Sequence, residues 1–240
     1  MAIQSSDLKS SKGLFVTGTD TGVGKTLVAC TVVRILREQK IDAVGFKPVA
    51  TGVVGGRWED ADALFEANER CEPLDTVCPV RYDAPLAPTL AAQHAKRVAD
   101  LEPARRMLAE LKARHAAVIV EGVGGVLVPL DAKTLVVDFM KESGCPALIV
   151  CRAALGTINH TLLTIREIER AGIPIAGIVM NCSEPIEAAT ARETKVEIER
   201  ISGRTICAAL PFMEGTGGPE LAADLLRLQF DVVKLLALGS

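Results

Sequence analysis

The chain has 240 residues and a formal net charge of −3, and 49% of its residues are hydrophobic. This balance is typical of an ordinary soluble globule and gives no sign of the basic face that nucleic-acid binding needs. An aromatic content of 3% argues against base-stacking platforms, and no apolar run reaches the roughly 18 residues of a membrane span, so we expect neither nucleic acid nor membrane as a partner.

Short apolar runs alternate with longer helical stretches along the chain. The start is polar and lacks an apolar signal core, which predicts a flexible tail over residues 1–12 and one domain over residues 13–240. Strands are predicted at 13–18, 42–47, 115–122, 145–151, 173–181 and 205–211, and helices at 24–39, 102–114, 134–143, 157–171, 186–202 and 219–236. Residues 48–100 are less regular and predict long loops with one short helix near 60–68.

The predicted strands are continuous apolar runs, which indicates that helices cover both faces of the sheet. This pattern predicts an α/β fold with a mostly parallel central sheet flanked by helices. Ligands of such sheets bind outside the carboxyl ends of the strands, so the residues that end the strands are the first candidates for a site.

The segment GTDTGVGKT, residues 18–26, joins the first strand to the first helix. A glycine-rich loop followed by Lys-Thr in this context predicts a phosphate-binding loop and a P-loop NTPase-like fold. The spacing departs from the usual motif, because Thr19 stands where the first glycine is expected. Lys25 would contact phosphate oxygens, the Thr26 hydroxyl would bind Mg²⁺, and glycines 22 and 24 would allow close backbone approach.

Acidic residues near other strand ends suggest the rest of a metal site. Glu121 ends a buried strand, where it would bind Mg²⁺ or cap the following turn, and the residues alone do not separate these roles. Asp60 and Asp62 lie near the start of the short predicted helix, and either would serve as a metal ligand or as a helix cap.

Two further polar residues end predicted strands. Lys47 would neutralise charge on a transferred phosphoryl group, the alternative being an ordinary exposed lysine. Asn181 offers a donor and an acceptor that suit an adenine edge, and it would equally well turn the chain.

Together these segments resemble the dethiobiotin synthetase family, ATP-dependent enzymes of biotin biosynthesis. The resemblance covers most of the chain between residues 15 and 213, in the family's order, through FVTGTDTGVGKT, GFKPVATG, DADAL, VEGVGGVLVPL, LGTINH, GIVMN and LPF. The pair GTDTxVGKT and KPVxxG is far more specific than a phosphate loop alone.

The resemblance implies roles for individual residues. Lys25 and Lys47 would be catalytic, and Thr26, Asp62 and Glu121 would bind Mg²⁺, with Asp62 preferred to Asp60 by the family's spacing. The nucleotide would contact Gly22, Val23, Gly24, Lys25, Thr26, Leu27, Asp62, Glu121, Gly122, Val123, Gly124, Asn181, Cys182, Pro211, Phe212, Met213 and Glu220. The substrate would contact Thr19, Thr51, Leu155, Gly156, Thr157, Ile158 and Asn159.

The implied reaction uses ATP, Mg²⁺, CO₂ and 7,8-diaminononanoate. A carbamate of one amine would attack the γ-phosphorus, and the second amine would then close the ring of dethiobiotin and expel phosphate from the mixed anhydride. The resemblance also implies a homodimer in which residues 155–159 complete the neighbour's site.

Two other functions are compatible with the fold. A regulatory ATPase of the partitioning type would carry a second lysine early in the loop, where this chain has Asp20. Another ATP-dependent ligase of the same fold would usually have an additional glutaminase domain.

Seven cysteines without a C-x-x-C pair and three scattered histidines indicate neither zinc nor a disulfide framework, and they favour a cytoplasmic location.

Overall fold

The structure, a computed structural model, describes residues 13–213, 218–229 and 231–237. The predicted tail at residues 1–12 lies outside the described residues. Six strands form one parallel sheet in the order β2-β5-β1-β6-β7-β8. Their bounds are β1 Gly13–Gly18, β2 Ala43–Phe46, β5 Ala117–Gly125, β6 Ala147–Arg152, β7 Ile175–Asn181 and β8 Ile206–Leu210. The predicted α/β fold with a mostly parallel central sheet is confirmed.

Helices cover both faces of this sheet. One face packs against α5 Glu102–Arg114, α6 Val136–Ser143, α7 Thr157–Arg170 and α8 Ala188–Ser202. The other face packs against α1 Lys25–Glu38, α2 Glu59–Ala67, α9 Gly218–Gln229 and α10 Val232–Ala237. No helix in the described part of the chain is long and apolar enough to cross a bilayer.

The central strands are buried on both sides, as their sequences require. Leu14 and Val16 of β1 belong to the core on the α1 side, whereas Phe15 belongs to the core on the α6 side. Phe15 and Phe139 meet edge-to-face with ring centroids 6.3 Å apart. Apolar side chains on both faces explain why the strands read as continuous hydrophobic runs.

The region predicted as long loops contains more regular structure than expected. A second, two-stranded parallel sheet pairs β3 Val49–Thr51 with β4 Val80–Tyr82, and two short helices, α3 Leu74–Val77 and α4 Pro88–His94, lie beside them. These elements are too short to show a hydrophobic period, so the sequence pattern did not reveal them. The short helix predicted near 60–68 is confirmed as α2.

The prediction of one last helix over 219–236 is wrong, because α9 ends at Gln229 and α10 begins at Val232. The Asp231 carboxylate accepts hydrogen bonds from the backbone N–H groups of Val233, at 3.0 Å, and Lys234, at 3.3 Å. Asp231 therefore caps a new helix and ends the continuous helical pattern.

Candidate active site

The glycine-rich loop lies between β1 and α1, at the carboxyl edge of the sheet. Gly22 and Gly24 have φ values of 73° and 97°, in the left-handed region that a side chain disfavours. Gly24 precedes the first residue of α1, so the unpaired N–H groups of the helix start lie at the end of the loop. Lys25 Nζ donates a hydrogen bond to the Asp20 carbonyl at 2.8 Å. This arrangement is a ready site for phosphate.

Four side chains from separate elements meet beside this loop. Thr26 Oγ1 lies 2.7 Å from Asp60 Oδ1 and 2.8 Å from Glu121 Oε1. Lys47 Nζ lies 2.7 Å from Asp60 Oδ2, 2.6 Å from Glu121 Oε1 and 3.3 Å from the Gly122 carbonyl oxygen. Lys47 is only 1% exposed and Glu121 is fully buried. The strand ends thus bring together the loop, two acids and a second lysine.

Burial and mutual charge shift the pKa values of this cluster. Burial, aided by the neighbouring Lys47, lowers the pKa of Lys25 to about 8. Burial also disfavours the charge of Lys47, but Glu121 and Asp60 outweigh it and raise its pKa above the ordinary lysine value. Burial raises the pKa of Glu121, although Lys47 opposes this shift. Burial disfavours the charged form of Asp60, but the charge of Lys47 and the hydrogen bonds from Lys47 and Thr26 outweigh burial and lower the pKa of Asp60.

The cluster has the chemistry of a magnesium site. Glu121 Oε2 is buried without a hydrogen-bond partner, which is costly for a carboxylate oxygen unless a cation completes it. The Thr26 hydroxyl has one hydrogen but touches two carboxylate oxygens, so acceptors exceed donors at this point. Hydroxyl and carboxylate oxygens are the ligands that Mg²⁺ prefers. Thr26, Glu121 and Asp60 therefore fit a magnesium ion.

The preference for Asp62 over Asp60 requires correction. Asp62 does not reach the cluster and instead pairs with Arg57, with its Oδ2 3.2 Å from Arg57 Nε. Residues two apart on a helix are rotated by about 200°, so only one of the two aspartates can face Thr26 and Glu121. The structure gives that position to Asp60, which we place in the ligand set instead of Asp62.

A cleft of about 710 Å³ opens in front of the loop and the cluster. Its polar wall includes the predicted residues Thr51, Glu121 and Gly124 together with both lysines. Apolar residues also line the cleft: Val123, which was predicted from the sequence, and Pro85, Leu86, Ala87, Pro88 and Val128, which were not. The PLAP segment at 85–88 gave no signal beyond its two prolines, which favour loops.

The residues expected to bind adenine lie away from this cleft, on the other side of the loop. Asn181 ends β7 and is 5% exposed, and its Nδ2 donates a hydrogen bond to the Val23 carbonyl at 3.0 Å. Cys182 is half-buried, and residues 211–213 follow β8 at the same edge. The side chain of Glu220 lies outside the described residues.

The predicted substrate segment 155–159 lies at the start of α7 and does not line the cleft of its own chain. Gly156 has a φ of 88° just before the helix, and Leu155 is fully exposed. Other expected contacts also lie outside the cleft. Val23 is fully buried, and Thr19 donates its N–H to the Val150 carbonyl. Leu27, in α1, packs against the core on that side of the sheet, and the Gly122 carbonyl accepts from Lys47.

Comparison with known proteins finds relatives that match most of the chain. A family model described as an AAA domain matches residues 12–220. The ATP-dependent dethiobiotin synthetase of Anaeromyxobacter dehalogenans strain 2CP-C is 49% identical over 201 residues, which is 84% of this chain and 90% of that protein. The enzyme of the same name from Bacillus licheniformis is 40% identical over 205 residues, which is 85% of this chain and 87% of the relative.

Solved structures share the fold at low sequence identity. A ParA family ATPase from Chlorobium tepidum TLS has a TM-score of 0.52 at 15% identity, covering 94% of this chain and 93% of that one. The signal recognition particle receptor FtsY from Elizabethkingia anophelis has a TM-score of 0.53 at 13% identity, covering 98% of this chain and 70% of that one. At these identities the likeness extends to the fold alone.

Proposed function

Because this chain belongs to the family of ATP-dependent dethiobiotin synthetases, we propose that its cleft converts 7,8-diaminononanoate, CO₂ and ATP to dethiobiotin, ADP and phosphate. The observation that carries the proposal is the convergence of Lys47, Glu121, Asp60 and Thr26 beside the glycine-rich loop. Such a cluster suits transfer of a phosphoryl group, in which charge must be held at the terminal phosphate.

The reaction needs alignment and charge stabilisation rather than a protein nucleophile. CO₂ adds to one amine to give a carbamate, whose oxygen attacks the γ-phosphorus and releases ADP. The second amine then attacks the carbamoyl carbon of the mixed anhydride, closes the five-membered urea and expels phosphate. Holding the carbamate in line with the phosphate removes most of the entropic cost of the first step.

The two lysines hold opposite sides of the phosphate position. Lys25 is the first residue of α1, at the end of the loop, and would move from the Asp20 carbonyl, 2.8 Å away, to the phosphate oxygens. Lys47 lies where the two acids meet and neutralises charge on the phosphoryl oxygens and the carbamate. Mg²⁺, when bound to Thr26, Asp60 and Glu121, supplies a Lewis acid for the phosphate oxygens.

The diamine substrate has a hydrocarbon chain between its amines and its carboxylate. The apolar lining formed by residues 85–88, Val123 and Val128 offers a surface for that chain, and Thr51 offers a hydroxyl in the same cleft. Because segment 155–159 does not line its own cleft, we propose a homodimer in which it binds the carboxylate of the neighbour's substrate through the N–H groups at the start of α7.

The cellular location that fits these properties is the cytoplasm. All seven cysteines are free thiols, and four of them are buried. Free thiols persist in a reducing compartment.

The function is tested by incubating the protein with Mg-ATP, bicarbonate and 7,8-diaminononanoate and detecting the cyclic urea by mass spectrometry. We expect product to depend on all three substrates and to fall to background with Lys47→Ala. ATP hydrolysis that ignores the diamine and responds to DNA or membranes would instead support a regulatory ATPase.

A further inference from the structure

Asn181 contacts the phosphate loop directly, across 158 residues of sequence. Its Nδ2 lies 3.0 Å from the carbonyl oxygen of Val23, and both residues are buried, Val23 completely. A carbonyl oxygen only accepts, which fixes the nitrogen of the amide on that side. Val23 stands two residues before Lys25, in the middle of the segment that would hold the phosphates.

The amide also packs closely against Gly24. A Cβ at position 24 would lie 2.3 Å from Asn181 Nδ2, closer than real side-chain contacts, and 3.1 Å from its Cγ, which is tighter than most of them. Gly24 has a φ of 97° and precedes α1, and its carbonyl accepts the N–H of Val28 at 3.1 Å. The amide therefore lies against the turn in the chain from which the helix starts.

The backbone of Asn181 is itself held firmly. It pairs with Arg152 of β6 and Leu210 of β8, and its carbonyl accepts from the N–H groups of Ala153 and Ser183, each at 3.2 Å. Because the backbone is already fixed between two neighbouring strands, only the side-chain torsions of Asn181 lose freedom when its amide forms a hydrogen bond. The contact is thus a rigid support from the sheet to the loop.

We propose that Asn181 is a positioning residue of the phosphate loop, holding the Val23 carbonyl so that the loop keeps its phosphate-binding shape before nucleotide arrives. The carboxamide retains one N–H and its oxygen for the edge of a base. One side chain then links the base end of the nucleotide to the phosphate end. This inference rests on the proposed function only in taking the loop to bind phosphate.

The test distinguishes an effect on the phosphate loop from the loss of a contact to the nucleotide base, because one of its two ligands has phosphates but no base. Mg-ATP and Mg-tripolyphosphate are titrated by calorimetry into the wild-type protein, Asn181→Ala and Asn181→Asp. Loss of one such hydrogen bond lowers tripolyphosphate affinity by about 10-fold in both variants, and ATP affinity by at least as much. A loss of ATP affinity with unchanged tripolyphosphate affinity would make Asn181 a base contact only and overturn the proposal, as would no loss at all.

Asn68→Asp is the matched control. Asn68 is likewise a buried amide, and its Nδ2 donates to a backbone carbonyl, that of Gly45, at the same 3.0 Å. The change removes an equivalent donor away from the loop, so we expect lower stability and unchanged tripolyphosphate affinity. An equal loss of affinity in Asn68→Asp would show a general effect of destabilisation and overturn the proposal.

Hydrogen exchange without ligand gives a second measurement that does not depend on activity. In Asn181→Ser, or in any Asn181 variant that folds, amides of residues 22–26 exchange faster than in the wild type, while those of β6 keep their rates. Faster exchange in both segments, or in neither, contradicts the proposal. Wild-type protein that binds tripolyphosphate but makes no cyclic urea would contradict the proposed function and leave the role of Asn181 intact.

Discussion

Lys47 Nζ lies 2.6 Å from Glu121 Oε1, with one side chain 1% exposed and the other fully buried. The pair joins the end of β2 to β5 and forms the centre of the cleft. Its energetic importance lies in what happens when one charge is removed, because an unpaired buried charge is far more costly than a neutral pair.

Glu121→Gln is expected to destabilise the protein by about 3 kcal/mol, because Lys47 then keeps only the half-exposed Asp60 as an acidic partner. The free energy of unfolding, measured by urea denaturation, reports this loss. The double variant Lys47→Met/Glu121→Gln, which removes both charges of the pair and leaves only the half-exposed Asp60, should recover at least half of it. Additive effects of the two single changes would show that the ion pair is not coupled.

Asp60→Asn is expected to raise the Mg²⁺ concentration needed for half-maximal turnover by about 10-fold or more, because it weakens a ligand that touches Thr26. Asp62→Asn is the matched control on the same helix and should change this concentration little, since Asp62 pairs with Arg57. The reverse order of effects would return Asp62 to the ligand set.

The predictions from the sequence agree most closely with the structure where the hydrophobic pattern of a segment is regular. Strands such as IAGIVMN could be predicted because a parallel sheet covered on both faces needs continuous apolar residues. The choice between Asp60 and Asp62 could not be made from the residues, because both are acids in the first turn of α2 and only the orientation of that helix separates them. The family's spacing favoured the residue that faces away.

Two other features depend on tertiary contacts that leave no local pattern. The three-residue strands β3 and β4 begin about thirty residues apart, and they pair only because the intervening chain brings β4 back alongside β3. The contact between Asn181 and Val23 could not be predicted either, since the sequence shows only that a polar residue ends a strand.

Lys47→Ala is expected to lower kcat by about 100-fold or more while the Kd for Mg-ATP changes less than about 5-fold, since Lys47 acts on charge that develops during transfer. Single-turnover rates and equilibrium titration give the two quantities. Lys25→Ala is the comparison, because a lysine in the phosphate loop should lower nucleotide affinity as well. Equal losses of affinity and rate for Lys47→Ala would make it a ground-state contact.

The cysteines are expected to differ widely in reactivity toward thiol reagents. Burial raises the pKa values of Cys30, Cys78 and Cys151 to about 12, so these thiols stay protonated and inert at mildly alkaline pH. Cys71 is exposed and should account for the fast phase of labelling by a disulfide reagent. Cys71→Ser should remove that phase, and fast labelling of the three buried thiols in native protein would contradict the prediction.

Mixing two inactive variants tests the proposed dimer. Lys47→Ala damages the cleft, and replacing Gly156 by valine strains the segment before α7, where φ is 88°. If that segment serves the neighbouring subunit, co-refolded mixtures should regain about one quarter of wild-type activity, because a mixed dimer has one intact site. Recovery that never exceeds the sum of the two variants would show that each cleft is complete within one chain.

The order of strands in the sheet also governs when the protein can fold during synthesis. β1 ends at Gly18, but its two neighbours in the sheet come much later in the chain: β5 begins at Ala117, and β6 ends at Arg152. A growing chain on the ribosome therefore exposes the hydrogen-bonding edges of β1 until β5 and β6 have been made. The segment that carries the phosphate loop is translated before both neighbouring strands of β1, and it must wait for them before it can take its final shape.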